Sequence, residues 1–253
     1  MLAADSLRRL QALHPKTIEL GLERLEVLLA RCGEPQRHLP PAIHIAGTNG
    51  KGSTLAMLFA GLKAAHRVVH AYTSPHLVTF HERIVVRNQR IDDSSLAALL
   101  HEIEAANGGE AITFFEATTC AAMLAFARSP ADYTLLEVGM GGRLDATNPC
   151  GLAPTLCILT PMSLDHQEFL GLSLSAIAAE KAGILKAGVP AIVGPQPSEA
   201  LAVIRTRARE VGCELLVYGT DWHVEEAAQA DCGSFGSLLF RDLRKGGSLC
   251  LPL

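Results

Sequence analysis

The sequence lacks the features that mark several large classes of protein. Its seven cysteines are odd in number and include no Cys-x-x-Cys pair. This pattern argues against a disulfide framework or a zinc site and favours buried or incidental thiols in a reducing compartment. No apolar run reaches about 20 residues, so no transmembrane span is expected, and the N-terminal 15 residues carry no signal-peptide pattern. Lys and Arg form no basic cluster and the formal net charge is −4. We therefore predict a cytoplasmic protein with no nucleic-acid or membrane partner.

The composition is that of an ordinary globular protein. Apolar residues make up 49% and charged residues 19% of the 253 positions, which excludes global disorder and allows a substantial core. The sequence shows no internal repeat, low-complexity tract or long linker. We therefore treat residues 1–253 as a single domain.

Apolar runs and helical patterns alternate from residue 43 to residue 217. The predicted strands span 43–46, 68–73, 133–139, 155–160, 189–193 and 213–217, and the predicted helices span 20–32, 55–65, 92–106, 115–128, 173–182 and 198–211. Continuous apolar strands between helices predict an α/β fold, a mostly parallel sheet with helices on both faces, over 1–217. Three short segments at 222–226, 237–241 and 248–251 predict a small antiparallel β segment within 218–253.

A glycine-rich loop follows the first of these strands and precedes a helix. Glycines let backbone N–H groups converge on an anion, and the helix N-terminus adds a partial positive charge. Lys51 supplies a full charge for the β- and γ-phosphates, and Ser53 or Thr54 offers a hydroxyl to phosphate or Mg²⁺. The common phosphate loop has the hydroxyl residue directly after the lysine, whereas here Gly52 intervenes. We predict a nucleotide-binding loop made of Gly47, Thr48, Asn49, Gly50, Lys51, Gly52, Ser53 and Thr54.

A carboxylate stands near the end of a later strand. Glu137 follows Leu135 and Leu136, at the edge of an open α/β sheet where ligands bind. Because an unpaired buried carboxylate is costly, a neighbouring cation would explain it. A surface glutamate at a strand end is the alternative that this residue alone leaves open.

The loop and six further blocks resemble a known family. GTNGKG at 47–52 is similar to the signature of the Mur ligase superfamily of ATP-dependent amide-forming ligases. The glycine after the lysine, followed by serine, resembles its folate branch, the dihydrofolate synthase/folylpolyglutamate synthase enzymes. The other blocks, in the same order along almost the whole chain, are LHPKTIELGLERL at 13–25, YTSPHLVTFHERI at 72–84, TFFEATT at 113–119, LEVGMGGRLDATN at 136–148, LDHQEFLG at 164–171 and EKAGILK at 180–186.

The resemblance implies ATP and two Mg²⁺ sites. Glu137 would bridge to Mg²⁺, Ser74 would complete the first site, and His166 would serve the second, although a His ligand is unusual for Mg²⁺. Lys181 is implied to be carbamylated, which turns a cation into a carboxylate-like group. Lys51, Lys181 and His166 are the implied catalytic residues.

The resemblance also implies a pterin site and a reaction. Asp145 would accept hydrogen bonds from the pterin's amino and ring N–H groups, and Phe115 would stack on the pterin ring. Taken alone, Phe115 is equally consistent with a residue of the hydrophobic core. The implied enzyme adds L-glutamate to dihydropteroate and to folate tails through an acyl phosphate. Its expected partners are small molecules (dihydropteroate, folates, L-glutamate and ATP), and a monomer is expected.

Members of this family carry a second, smaller domain that supplies the glutamate site. The sequence ends at Leu253 without a DGAHN-like segment, so we expect a truncated chain that lacks this C-terminal domain. Two alternatives remain open. One is a nucleotide- or pterin-binding domain without ligase activity. The other is a peptidoglycan-type Mur ligase. The features Gly52, SPHL and LDATN argue against this second alternative.

Overall fold

The computed structural model describes residues 3–13, 21–226 and 237–252. Its helices are α1 Ala3–Ala12, α2 Glu23–Arg31, α3 Lys51–Ala64, α4 Asp93–Asn107, α5 Phe114–Ala127, α6 Gln167–Leu170, α7 Leu174–Ala182 and α8 Ser198–Val211, with single 3₁₀ turns at Pro35–Arg37 and Phe80–Arg83. Its strands are β1 Ala42–Ala46, β2 Val69–Tyr72, β3 Ile84–Val86, β4 Gln89–Arg90, β5 Tyr133–Glu137, β6 Pro154–Leu159, β7 Ala191–Val193, β8 Leu215–Val217, β9 Trp222–Glu226, β10 Ser237–Asp242 and β11 Gly247–Pro252.

The main sheet has eight strands in the order β4-β3-β2-β5-β1-β6-β7-β8. Neighbours from β2 to β8 in this order pair in parallel, while β3 and β4 add an antiparallel edge. A separate antiparallel sheet has the order β11-β10-β9. The predicted fold class, a mostly parallel sheet with helices and a small antiparallel β segment, is confirmed.

Helices cover both faces of the main sheet because its inner strands are largely apolar on both faces. Successive side chains of a strand point to opposite faces. Leu135 accordingly packs in the cluster beneath α3, while its neighbour Leu136 packs with α2, α4 and α5 on the other face. A third cluster joins α7 and α8 to β6 and β7. This double cover is what a parallel sheet requires.

Side-chain caps fix the starts of α4 and α5. The Asp92 carboxylate accepts the Ser95 N–H at 2.8 Å at the start of α4, and Gly108 ends that helix with φ +64°. At α5, Thr113 and Glu116 form a reciprocal capping box. That box fixes the first turn of α5, which carries Phe115.

Several elements differ from the prediction. Helix α3 begins at Lys51 rather than at residue 55, so half of the predicted loop is its first turn. Helix α1 and the edge strands β3 and β4 were not predicted. The β3–β4 turn places Arg87 and Asn88 at positive φ, the geometry of a tight two-residue hairpin turn, but the strands it joins are too short to show a period.

Part of the sequence prediction falls outside the described residues. Residues 14–20 of the 13–25 motif, Leu20 of the predicted helix 20–32, and Cys232 lie there. None of the helices in the described ranges combines the length and apolar composition needed to cross a bilayer.

One described cysteine departs from the expected pattern of buried or incidental thiols. Cys250 is disulfide-bonded, while the free cysteines among the described residues are Cys32, Cys120, Cys150, Cys157 and Cys213. An odd count excludes the pairing of all seven cysteines, but it does not exclude one bridge.

Candidate active site

Four strand ends bring the predicted site residues to one edge of the sheet. Strands β2, β5, β1 and β6 are neighbours and run in parallel, so their carboxyl ends lie side by side. Ser74 follows β2, Glu137 ends β5, Gly47 follows β1 and Thr160 follows β6. This is the edge where open α/β sheets bind ligands.

The start of the glycine-rich loop is fixed against the segment after β6. Gly47 has φ +149°, and a Cβ there would lie 1.9 Å from Thr160 Oγ1 and 2.8 Å from the Thr160 carbonyl oxygen. The N–H groups of Thr48 and Asn49 both donate to the Pro161 carbonyl at 3.1 Å. This close approach of the loop to Thr160 depends on a glycine at residue 47.

The second half of the loop is the beginning of α3. Gly50, with φ +82°, precedes the helix, and the first N–H groups of a helix have no intrahelical acceptor. Those of Lys51, Gly52 and Ser53 therefore form an anion-binding end. Lys51 Nζ donates to the carbonyls of Gly47 at 3.1 Å and Thr48 at 3.3 Å, so its charge lies over the loop.

Ser74 and Glu137 meet beside this helix end. The Ser74 N–H donates to Glu137 Oε2 at 3.1 Å, and the Glu137 side chain is buried. Burial raises the pKa of the Glu137 carboxyl, while the Ser74 N–H and the Lys51 charge act in the opposite direction. A Cβ at Gly52 would lie 3.5 Å from Glu137 Oε1, so the glycine leaves a cradle between helix and carboxylate.

These residues fit a Mg²⁺ ion. Within the described part of the chain, no group of three or more His, Cys, Asp or Glu side chains could hold a metal by itself. Mg²⁺ keeps several waters and takes one or two carboxylates plus phosphate oxygens. One buried carboxylate and one serine hydroxyl beside a phosphate-binding helix end meet that need.

Lys181 is a buried cation under the loop. It is 2% exposed, and its Nζ donates to the Gly47 carbonyl at 2.9 Å, the same oxygen that Lys51 contacts. Burial, assisted by the Lys51 charge, lowers the pKa of Lys181 to about 8. The Gly47 carbonyl thus accepts hydrogen bonds from two lysines that lie 130 positions apart in the sequence.

His166 is placed differently from the other predicted metal ligands. It precedes α6 with φ +47°, its side chain is half-exposed, and Nε2 lies 3.5 Å from Asp165 Oδ2. Among the described residues, His166 belongs to no group of three or more His, Cys, Asp or Glu side chains that could hold a metal ion.

Asp145 and Phe115, the predicted pterin residues, meet at Gly139. A Cβ at Gly139 would lie 2.5 Å from Phe115 Cζ and 3.2 Å from Asp145 Oδ2. The Asp145 carboxylate is buried and accepts the Met140 N–H at 2.9 Å and two donors of Thr147. A carboxylate has about four acceptor positions, so most of those on Asp145 are already occupied by hydrogen bonds from Met140 and Thr147.

Sequence reasoning missed several residues that build this edge. They are Thr160 behind Gly47, Gly139 beneath Phe115, Tyr72 stacked on Phe115 with ring centroids 6.0 Å apart, and the buried pair His44 and Thr147. A histidine inside the apolar strand Ile43–Ala46 was a usable signal, because a buried polar side chain needs a partner.

The fold and the loop together define a phosphate-loop α/β domain. Residues 45–247 match the family model of the Mur ligase middle domain, and the chain belongs to the Mur ligase family.

Its relatives confirm the predicted resemblance to the folate branch. The chain is 41% identical over 221 residues to the dihydrofolate synthase/folylpolyglutamate synthase of Escherichia coli strain K12, covering 87% of this chain and 51% of that protein. The solved structure of E. coli FolC in complex with DHPP and ADP matches with a TM-score of 0.88 and 38% identity, over 100% of this chain and 58% of that one. A bifunctional folylpolyglutamate synthase/dihydrofolate synthase with Mn, AMPPNP and L-glutamate bound matches with a TM-score of 0.83 and 33% identity, over 98% and 57%.

The chain spans about half the length of the curated relatives it matches, 51% of the E. coli protein and 45% of the Bacillus subtilis dihydrofolate synthase/folylpolyglutamate synthase.

Proposed function

We propose that this chain provides the ATP-binding and pterin-binding site of a ligase that adds L-glutamate to dihydropteroate and to folate tails. The observation that carries the proposal is one sheet edge with two adjoining parts. The phosphate loop with Lys51, Lys181 and Glu137 lies on one side, and the Phe115–Asp145 pair lies on the other. The relative solved with both DHPP and ADP supports this pairing of ligands.

The chemistry follows from the poor leaving ability of a carboxylate oxygen. An oxygen of the dihydropteroate carboxylate attacks the γ-phosphorus of ATP, the bond to the β–γ bridging oxygen breaks, and ADP leaves. The amine nitrogen of L-glutamate then attacks the acyl carbon, the acyl–oxygen bond breaks, and phosphate leaves as the nitrogen loses a proton. Lys51 and the N–H groups at the start of α3 stabilise the charge on the transferring phosphoryl group.

Mg²⁺ belongs to the proposal as a resident cofactor. Ser74 and Glu137 would hold it, and His166 would contribute to a second site. The ion supplies charge neutralisation for the phosphates. A related protein solved with Mn and AMPPNP supports a divalent metal.

Carbamylation of Lys181 also belongs to the proposal. The amine nitrogen would attack CO₂ and lose a proton, giving a carbamate. Its lowered pKa of about 8 leaves part of the amine neutral near physiological pH, and the carbamate charge would face Lys51. ¹³C-bicarbonate labelling tests this, because a carbamate carbon signal should appear in the wild type and be absent in Lys181→Met. Its absence from both would contradict the modification.

We further propose that residues 1–253 act as one domain and as a monomer. Contacts tie the small sheet to the α/β core, since Trp222 Nε1 donates to the Leu216 carbonyl at 3.0 Å and Arg244 pairs with Glu214 at 2.8 Å. Light scattering should give the mass of one chain, and unfolding should show one transition. A dimer mass or two transitions would contradict this.

The test of the proposed function is turnover with its substrates. The protein is incubated with ATP, Mg²⁺, dihydropteroate and L-glutamate, and ADP and dihydrofolate are measured. We expect equal amounts of both products, and no ADP release when either acceptor is omitted. If the protein binds Mg-ATP and dihydropteroate but makes no dihydrofolate, the alternative of a binding domain replaces the ligase. If it binds neither ligand, the site assignment itself is wrong.

A further inference from the structure

A buried row of three side chains runs from the sheet to the pterin side of the site. His44 lies in β1 and is fully buried, as is Thr147. His44 Nε2 is 2.9 Å from Thr147 Oγ1, and Thr147 Oγ1 is 2.6 Å from Asp145 Oδ1. The row therefore joins the central strand of the main sheet to the loop at 139–148.

The direction of both hydrogen bonds follows from the donors present. Both Asp145 oxygens accept backbone N–H groups, from Thr147 and from Met140, so the carboxylate is the acceptor for the Thr147 hydroxyl. That hydroxyl has a single proton and must accept from His44. Burial lowers the pKa of His44 to about 3, so the ring is neutral and its proton lies on Nε2.

His44 is more than a packed core residue. Its Nδ1 is buried without a hydrogen-bond partner in the described part of the structure, although a histidine kept only for packing would be expected to satisfy both ring nitrogens. The bond that the ring does make fixes Thr147, and through Thr147 it fixes Asp145. Asp145 in turn accepts the N–H group of Met140 at 2.9 Å.

We propose that His44 and Thr147 are positioning residues that hold the loop at 139–148 in the conformation needed for pterin binding. This inference rests on the proposed function, because it assigns the pterin to the Phe115–Asp145 side. Neither residue contacts the phosphate loop through this row. Replacing either residue should therefore weaken pterin binding and leave nucleotide binding unchanged.

Two matched pairs of variants test the proposal. His44→Leu and Thr147→Val remove the donor or the hydroxyl, while His44→Gln and Thr147→Ser retain a group that can make the bond. Calorimetry with dihydropteroate should show affinity about tenfold weaker in the first pair, the loss expected for one or two buried hydrogen bonds, and within about twofold of wild type in the second. Mg-ADP affinity should stay unchanged in all four.

Hydrogen exchange of the loop at 139–148 gives a second readout that needs no ligand. Exchange at the Met140 and Thr147 amides should be faster in His44→Leu and Thr147→Val, and close to wild type in the conservative variants. Unchanged exchange, or an equal loss of Mg-ADP and dihydropteroate affinity, would overturn the positioning role. If the wild type binds no dihydropteroate while exchange responds as expected, His44 and Thr147 still hold the loop, but its assignment to the pterin and the proposed function both fail.

Discussion

At the scale of single residues, the Gly47 carbonyl is the centre of the site. It accepts from both Lys51 and Lys181, so two ammonium groups lie close together beneath the place proposed for the phosphates. An anion bound there would relieve their repulsion. Lys51 borders the anion-binding helix end, while Lys181 is enclosed beneath the loop.

Replacing Lys51 should weaken nucleotide binding selectively. Hydrogen bonds to charged groups contribute roughly 1.5–3 kcal/mol, so Lys51→Ala should weaken Mg-ATP binding by about tenfold or more, as measured by calorimetry. Lys63→Ala, on the exposed part of the same helix, is the matched control and should bind normally. Equal affinities in the two variants would remove Lys51 from the phosphate site.

The buried Lys181 should make stability depend on pH in the alkaline range. Its pKa is lowered from 10.5 to about 8 in the folded chain, so between these values the unfolded chain binds more protons and stability rises with pH. Below pH 8 the lysine is charged in both states and the cost of burying it is fully present. Relative to Lys181→Met, the wild type should gain free energy of unfolding from pH 8 to pH 10, measured by urea denaturation. This prediction applies to the unmodified lysine, and a constant difference between the two would show that Lys181 does not titrate as a free amine with a lowered pKa.

The identity of the site residues was easier to predict than the contacts that surround them. Glu137, Ser74, Phe115 and Asp145 were named from motifs, and the structure pairs Glu137 with Ser74 and Phe115 with Asp145. The buried position of Lys181 could not be predicted from the sequence, because the carbonyl that accepts its hydrogen bond belongs to Gly47, 134 positions away. The metal, pterin and carbamylation roles of these residues stay predictions.

At the scale of elements, the junction of β1, loop and α3 decides the site. The sequence predicted a strand, a loop and a helix in this order, but placed the helix start four residues late. Loop and helix share the residues Lys51–Thr54, since a phosphate-binding loop delivers its last N–H groups as the first turn of a helix. Composition cannot mark that boundary, because glycine and serine are common both in loops and in the first turn of this helix.

Two glycines, Gly47 at this junction and Gly61 further along α3, should respond to alanine in opposite ways. In Gly47→Ala the new Cβ would meet the Thr160 side chain and backbone, so we expect a loss of roughly 1–3 kcal/mol in the free energy of unfolding, in the range of overpacked sites. In Gly61→Ala, within α3 and facing open space, we expect a gain of about 1 kcal/mol from helix propensity. Thermal denaturation with two-state analysis measures both. A neutral Gly47→Ala would contradict the close contact with Thr160.

At the scale of the whole molecule, the fold class followed from the alternation of apolar strands and helices. Strand order did not, because parallel pairing is set by crossovers that leave no local signal. Six strands of the main sheet were foreseen, whereas β3 and β4 were too short to show a period. Cytoplasmic location and the absence of nucleic-acid and membrane partners stay predictions.

The central claim is an amide ligation through an acyl phosphate, and oxygen transfer tests it most directly. Dihydropteroate labelled with ¹⁸O in its carboxylate is incubated with the protein, ATP, Mg²⁺ and L-glutamate, and the released phosphate is analysed by mass spectrometry. We expect one ¹⁸O atom in each phosphate formed together with dihydrofolate, because the carboxylate oxygen that attacks the γ-phosphorus leaves with it. Unlabelled phosphate, or AMP and pyrophosphate in place of ADP, would contradict it.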